Sequence, residues 1–371
     1  MIYFDSAASY PVLKEAELAL LEATVRMYGN PSSSHAAGEQ ASRIVEATRE
    51  SIADSIEALP SEIVFTSGAT ESNNLVLKGH FSLPEYSDKR HIVITSIEHK
   101  CVHAITDYLA RTCNVKFTVV APNEEGLITR EAVESALTNE TSLVSVMHVN
   151  NELGTTNPIK SIGELCLSRG IKFHTDAAQS FLKSPIDVDE MCIDYLSLSG
   201  HKIGAPKGIG AVYIRDRRSL PLEPIIHGAG QENGLRGGTL PAPIINSFKS
   251  AIEAFAGHYE ILKNKKLKEY LLSSLANKGI NFFVNGEGIP SIISLTLPDI
   301  DVSALMRETN TTLSLSTGSA CSSTEIEISH VLSALGLDRK MGERTLRLSF
   351  HHDLNCVDID TLVTAIENQS D

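Results

Sequence analysis

Lys202, in Ser199-Gly200-His201-Lys202, follows directly on the apolar run Tyr195-Leu196-Ser197-Leu198. A lysine at the end of a strand sets an amine at the mouth of a sheet, where open α/β sheets bind their ligands. Such an amine can condense with an aldehyde cofactor, and it gives up its proton readily when partly desolvated. A solvated surface charge is the plain alternative for one of 32 Lys and Arg residues. Asp176 closes Phe173-His174-Thr175-Asp176, one strand earlier. A pyridinium N–H would hold its carboxylate ionised, the pairing that makes pyridoxal phosphate an electron sink. A helix N-cap would suit the same aspartate.

Other polar groups follow strands in the same way. In Thr66-Ser67-Gly68-Ala69-Thr70-Glu71-Ser72-Asn73 small residues open a helix. Their backbone N–H groups and the helix dipole suit an anion, phosphate first, although a capped strand–helix turn reads equally well. Ile97-Glu98-His99-Lys100 offers an imidazole to stack on a planar ring or move protons, and His148-Val149-Asn150-Asn151-Glu152 an amide. Either could instead be an ordinary polar residue. Leu315-Ser316-Thr317-Gly318-Ser319-Ala320-Cys321-Ser322-Ser323 is a poor core segment and reads as a mobile loop presenting Cys321 to attack. Cys166 and Cys192, among apolar neighbours, read as buried packing thiols.

The elements that must position these groups are legible as alternating strands and helices. Pro11–Met27 and Gln40–Leu59 are expected as helices flanking the loop Gly29-Asn30-Pro31-Ser32-Ser33-Ser34-His35. Strands are expected at Ile63–Thr66, His91–Thr95, Val115–Val120, Leu143–Val149, Ile171–Thr175, Tyr195–Leu198 and Gly210–Ile214. Near-continuous apolar strands between helices mean a mostly parallel seven-stranded sheet covered on both faces. After the Gly- and Pro-rich Pro221–Pro243, one long helix (Ala242–Lys278) is expected to lead to short strands at Ile292–Leu297 and Thr345–Ser349. The expected division is a large domain over 12–245, with 1–11 and 246–371 forming a smaller α+β domain that carries the Cys321 loop.

Composition narrows the classes. The 371 residues are 42% hydrophobic and 21% charged, ordinary for a soluble globular chain long enough for two domains. With 32 basic and 46 acidic residues the net charge of −14 argues against direct nucleic-acid binding. No apolar run approaches the roughly 18–20 residues of a membrane span, and the opening Met1-Ile2-Tyr3-Phe4-Asp5 is unlike a secretory leader. The six cysteines are scattered without a CxxC pair, so no disulfide framework or metal site is expected, and a cytoplasmic location is.

Taken in order, these segments resemble the class I, NifS/IscS-type cysteine desulfurases of the pyridoxal-phosphate fold-type I enzymes (aminotransferase class V). The resemblance runs from Tyr3 to about Ala365. Besides the segments above it includes Asp5-Ser6-Ala7-Ala8, Asp176-Ala177-Ala178-Gln179, Arg236-Gly237-Gly238-Thr239 and Gly318-Ser319-Ala320-Cys321. It implies pyridoxal 5′-phosphate bound as an aldimine on Lys202, with Asp176 on the pyridine nitrogen and Gln179 donating to the phenolic oxygen. His99 would lie over the ring, Asn151 would touch cofactor and substrate, and Ala69, Thr70, Ser199 and His201 would cradle the phosphate. Thr239 would reach the other subunit's phosphate in a homodimer. Asn30 and Arg347 would bind substrate, Arg347 clamping its carboxylate with bidentate guanidinium geometry.

The implied reaction takes L-cysteine to L-alanine. Cys321 attacks the substrate sulfur and keeps it as a persulfide for an acceptor protein, with Lys202 and His99 as proton carriers. The chain stops at Asp371, without the longer extension with which housekeeping members dock an iron–sulfur scaffold. This directs attention to tRNA thiolation or DNA phosphorothioation beside iron–sulfur assembly. Another enzyme of the same fold, an aminotransferase or selenocysteine lyase, stays open on the residues alone, as does a non-enzymatic sulfur-carrier subunit. An aminotransferase would have no use for Cys321, and a relic site would leave the protein colourless.

Overall fold

The computed structural model describes residues 1–216, 222–317 and 328–369. The chain enters through a short strand, β1 (Ile2–Tyr3), and two helices, α1 (Lys14–Arg26) and α2 (Ala36–Asp54). A seven-stranded sheet follows: β2 (Ile63–Thr66), β3 (His91–Thr95), β4 (Lys116–Val120), β5 (Thr141–Ser145), β6 (Lys172–Asp176), β7 (Tyr195–Ser199) and β8 (Gly210–Ile214). Its order is β2-β8-β7-β6-β5-β3-β4. Every pairing is parallel except the two made by β8, which runs antiparallel to β2 and β7. Helices α3 (Ala69–Phe81), α4 (Lys100–Cys113), α5 (Arg130–Ala136) and α6 (Ile159–Ser168) connect successive parallel strands.

The apolar runs account for this arrangement. All residues of β3, β5, β7 and β8 are buried, as strands sandwiched between helices must be. One apolar core gathers Phe65, Val93, Val144, Phe173, Leu196 and Phe248. Another, on the far face of the sheet, gathers Val64, Val76, Ile92, Leu143 and Val212. The strand expected through Val149 ends at Ser145. Beyond it Met147 and Val149 are still buried, but the backbone turns to bring Asn150 onto the Ile97 carbonyl, its side-chain amide donating at 2.9 Å.

The remainder contributes α7 (Ala242–His258), α8 (Ile261–Asn277), β9 (Phe283–Val284), β10 (Ile292–Thr296), α9 (Val302–Thr309), β11 (Leu313–Ser314) and β12 (Ser316–Thr317). It closes with α10 (His330–Ala334), α11 (Arg339–Glu343), β13 (Thr345–Ser349) and α12 (Cys356–Glu367). An antiparallel sheet β12-β13-β10-β9 packs α8 and α12 around Phe4, Leu271, Leu295, Leu348, Phe350 and Ile359. β1 pairs with β11, so the first residues belong to this core, while Tyr10 and Leu13 already pack in the larger one.

The single helix expected over Ala242–Lys278 is two helices. Tyr259 is extended between them (φ −89°, ψ 97°), with its ring stacked on Phe255 and its hydroxyl paired with Ser291 at 2.9 Å. Burying that ring where its hydroxyl finds a partner outweighs one continuous helical register. Cys166 is buried as expected. Cys192 is not: it sits half-buried in a turn at φ +52°.

Candidate active site

The carboxyl ends of the parallel strands border a cavity of about 520 Å³. Lys202 lies one turn after β7, on the floor of that cavity. Its Nζ donates to the main-chain oxygens of Ala7 at 2.6 Å and Ala8 at 2.9 Å. Burial, reinforced by the Arg347 cation and opposed by Asp176 and Asp5, pushes its ammonium down to about 8. An amine that gives up its proton this readily, held by two carbonyls, is poised to act as a nucleophile. The entering segment is fastened beside it: Tyr10 N donates to His201 O at 2.9 Å, and His201 Nδ1 meets Ser9 Oγ at 3.2 Å.

Asp176 ends β6 and is buried. Its Oδ2 accepts from Asn73 Nδ2 at 2.8 Å and its Oδ1 from Ala178 N at 2.9 Å. Two donors keep the carboxylate in place while it still faces the cavity. Gln179 Nε2 donates to the same Ala7 oxygen at 2.7 Å, and its Oε1 accepts from the buried Lys183 at 3.3 Å. Burial, with Lys202 adding to it, brings the Lys183 ammonium down to about 7.

His99 is the N-cap of α4, and its Nδ1 accepts from Cys101 N at 3.2 Å. That bond assigns the proton of the neutral ring to Nε2. Burial, partly offset by Asp176, holds the imidazole below its ordinary range, so it is neutral at pH 7. Behind it Glu98 is fully buried, its Oε1 accepting from Thr95 Oγ1 at 2.9 Å and Met147 N at 2.8 Å. Burial raises that carboxyl to about 8.

At the opposite end α3 begins at Ala69 with Gly68 as N-cap, and no side chain caps it. Gly68 has φ +149°, a backbone state that glycine adopts without strain. The first-turn N–H groups therefore open toward the cavity beside Ser199, His201 and Thr70. Glu71, which would repel an anion there, is turned onto Arg236 (2.8 Å) and Ser67 N (2.9 Å). An uncapped helix N-terminus, a carboxylate able to hold a ring N–H and a desolvated lysine fit pyridoxal phosphate, whose phosphate the start of α3 would receive.

Arg347, on β13, closes the cavity from the antiparallel sheet. Its Nη2 donates to Asp5 Oδ1 at 2.7 Å and Ser316 Oγ at 3.1 Å, and its Nη1 to Asn151 O at 3.3 Å. The guanidinium expected to clamp a substrate carboxylate is here bonded to a carboxylate of its own chain.

The cavity brings together Ala69, Thr70, His99, Asn151, Asp176, Gln179, Ser199, His201, Lys202 and Arg347. Asn30 and Thr239 do not line it. Residues adjoining both, Pro31, Ser32 and Leu240, border a separate depression, and Asn30 Oδ1 caps its own turn by accepting from Ser32 N at 2.9 Å. Cys321 lies outside the described residues. Reasoning from residue types missed Asn73, Lys183, Glu98 and the Asp5 carboxylate. Asp5 and Asn73 stand within motifs noted above, but their partners lie far along the chain.

Residues 2–362 match the aminotransferase class-V family. The chain is 40% identical over 98% of its length to the mitochondrial cysteine desulfurase of Eremothecium gossypii, spanning 75% of that protein. It is 38% identical over its whole length to cysteine desulfurase IscS of Rickettsia akari, spanning 91% of it. Among solved structures, SspA in complex with cysteine matches at TM-score 0.85 and 41% identity, over 95% of this chain and 99% of that one. A NifS-like protein matches at TM-score 0.89 and 32% identity, over 99% and 98%. The chain belongs to the aminotransferase class-V family. Within that family it is a pyridoxal-phosphate-dependent cysteine desulfurase of the NifS/IscS type.

Proposed function

We propose that the enzyme takes sulfur from L-cysteine, releases L-alanine and holds the sulfur as a persulfide on Cys321 for an acceptor protein. The observation that carries this reading is the convergence of Lys202, Asp176, His99 and the open end of α3 on one cavity that Arg347 closes. The similarity to SspA in complex with cysteine supports the substrate. Bound pyridoxal phosphate supplies an electron sink that loosens bonds at the substrate's α-carbon and, beyond it, the Cβ–S bond. Asp176 would hold its ring nitrogen, and Ala69, Thr70, Ser199 and His201 its phosphate. Lys202 carries a proton at Nζ, and His99 presents the proton on Nε2. Gln179 orients through Nε2, and Asn151 and Arg347 set the substrate's position.

The enzyme acts as a homodimer in this reading, with Thr239 serving the partner's phosphate and Asn30 the substrate site. That both sit by a surface depression away from their own cavity supports it. Free thiols at Cys101, Cys113, Cys166, Cys192 and Cys356 suit a reducing compartment, and we place the enzyme in the cytoplasm.

Purified protein supplied with pyridoxal phosphate should absorb in the visible range and convert L-cysteine to alanine. Lys202→Ala should lose that absorption and cut alanine formation by roughly 10⁴-fold, the upper end for a proton-transferring residue. Cys321→Ala should keep the absorption and form no protein persulfide. A wild-type protein that stays colourless in excess cofactor and makes no alanine would sink the proposal.

A further inference from the structure

Beyond β13 the chain runs Phe350-His351-His352-Asp353 before α12 begins, and these polar groups play no part in the cavity. The ligand-type atoms of His351, His352 and Asp353 all lie within 4.8 Å of one another. His351 Nδ1 is 3.9 Å from Asp353 Oδ2, and His352 Nε2 is 3.5 Å from the same oxygen. Nitrogen and oxygen ligands bound to one zinc at about 2.0–2.2 Å lie roughly 3–3.5 Å apart. Small side-chain rotations therefore close the triad around an ion.

Tyr10 holds the His352 ring in the orientation that ligation needs. His352 Nδ1 meets the Tyr10 hydroxyl at 3.1 Å, and the same hydroxyl accepts from His352 N at 3.1 Å. The Tyr10 ring also stacks on the imidazole at 18°. A hydrogen bond on one ring nitrogen that frees the other is the usual outer support of a metal-bound histidine. His351 Nδ1 accepts only a long bond from Asp353 N at 3.4 Å, which an ion at this nitrogen would replace. Around the two rings stand Asp358, Glu15 and His258, with the Lys263 ammonium donating to the His352 carbonyl. Asp353 is the one largely exposed member, with a side chain 73% accessible, and it gives an ion its entry path.

We propose that His351, His352 and Asp353 form a binding site for a single divalent transition-metal ion, zinc by donor type, completed by water. Two imidazole nitrogens and one carboxylate suit zinc and its first-row neighbours, and are a poor set for calcium or magnesium. The site lies where the entering segment, through Tyr10, meets the link from β13 to α12. An ion there braces the link from β13 to α12, on which Tyr10 packs, without entering the reaction.

The test is equilibrium dialysis of the cofactor-loaded enzyme against Zn²⁺, with elemental analysis, for wild type, Asp353→Asn and His352→Gln. Thiol binding is common to all three proteins and drops out of the difference. Wild type should hold one more zinc per chain than either variant, whose affinity at this site falls at least about tenfold, as losing even a supporting group does. Asp353→Asn changes an exposed group and decides the matter if His352→Gln does not fold. Equal zinc uptake by wild type and Asp353→Asn, or none by wild type, overturns the site.

Discussion

The wall of the cavity that carries Lys202 and the wall that carries Arg347 are assembled differently. On the first, each group follows a strand of the parallel sheet or opens a helix behind one, and the sheet register sets their spacing. Its anchors are main-chain atoms or buried side-chain amides, as with Ala7 O under Lys202 and Asn73 Nδ2 under Asp176. On the second, Arg347 lies against Asp5, Ser316 and the Asn151 carbonyl, three separate stretches of chain. The first wall is ready for its ligand. The second is engaged within its own chain at Nη1 and Nη2, while Arg347 Nε is buried without a partner among the described residues, and a substrate carboxylate competes with Asp5 for this guanidinium.

This contrast can be broken most sharply at Arg347. Arg347→Ala should raise KM for L-cysteine by about 30- to 150-fold, the equivalent of roughly 2–3 kcal/mol for a charged hydrogen-bonded contact. Cofactor binding, read from visible absorption, should be unchanged. Weakened cofactor binding of similar size would mean that the two walls are not separable.

A second test concerns the readiness of Lys202. In cofactor-stripped enzyme the neutral amine captures the aldehyde, and its fraction falls about tenfold for each pH unit below the pKa. Because that pKa is pushed down to about 8, uptake followed by absorbance should climb through pH 6–8 and level off above it. A rate still climbing at about pH 10, the range of an unperturbed lysine, would show an amine in contact with water.

The smallest effect is expected at Asp5. Asp5→Asn removes the competing charge from a partly exposed pair worth up to about 1 kcal/mol, so KM should fall by about two- to fivefold. A rise in KM instead would make Asp5 a support for Arg347 and erase the distinction between the walls.

The difference also explains what could be read from residue order. Lys202, Asp176, His99 and Thr70 were legible because each lies at or a few residues past the end of an expected strand, and strand ends in such a sheet share one edge. The strands themselves, Ile63–Thr66 and Gly210–Ile214 among them, were legible from the same runs. Asp5 was not legible as the partner of Arg347, since 342 residues separate them and nothing local marks the pairing. Asn73 reaches Asp176 across 103 residues, and Lys183 reads as a surface charge until the fold encloses it. The break at Tyr259 was hidden because its one local mark, Gly257, is a single glycine that a helical pattern tolerates, and the Ser291 partner comes from another segment.

The Ala7 carbonyl receives both Lys202 and Gln179, so one oxygen sets the height of two side chains on the cavity floor. That oxygen belongs to the main chain and survives every replacement of the side chain at residue 7. A mutational scan would score this position only for the room its methyl group occupies and would miss its principal contribution. Replacing the amide by an ester, by chemical synthesis or an expanded genetic code, would weaken the acceptor itself and reveal it.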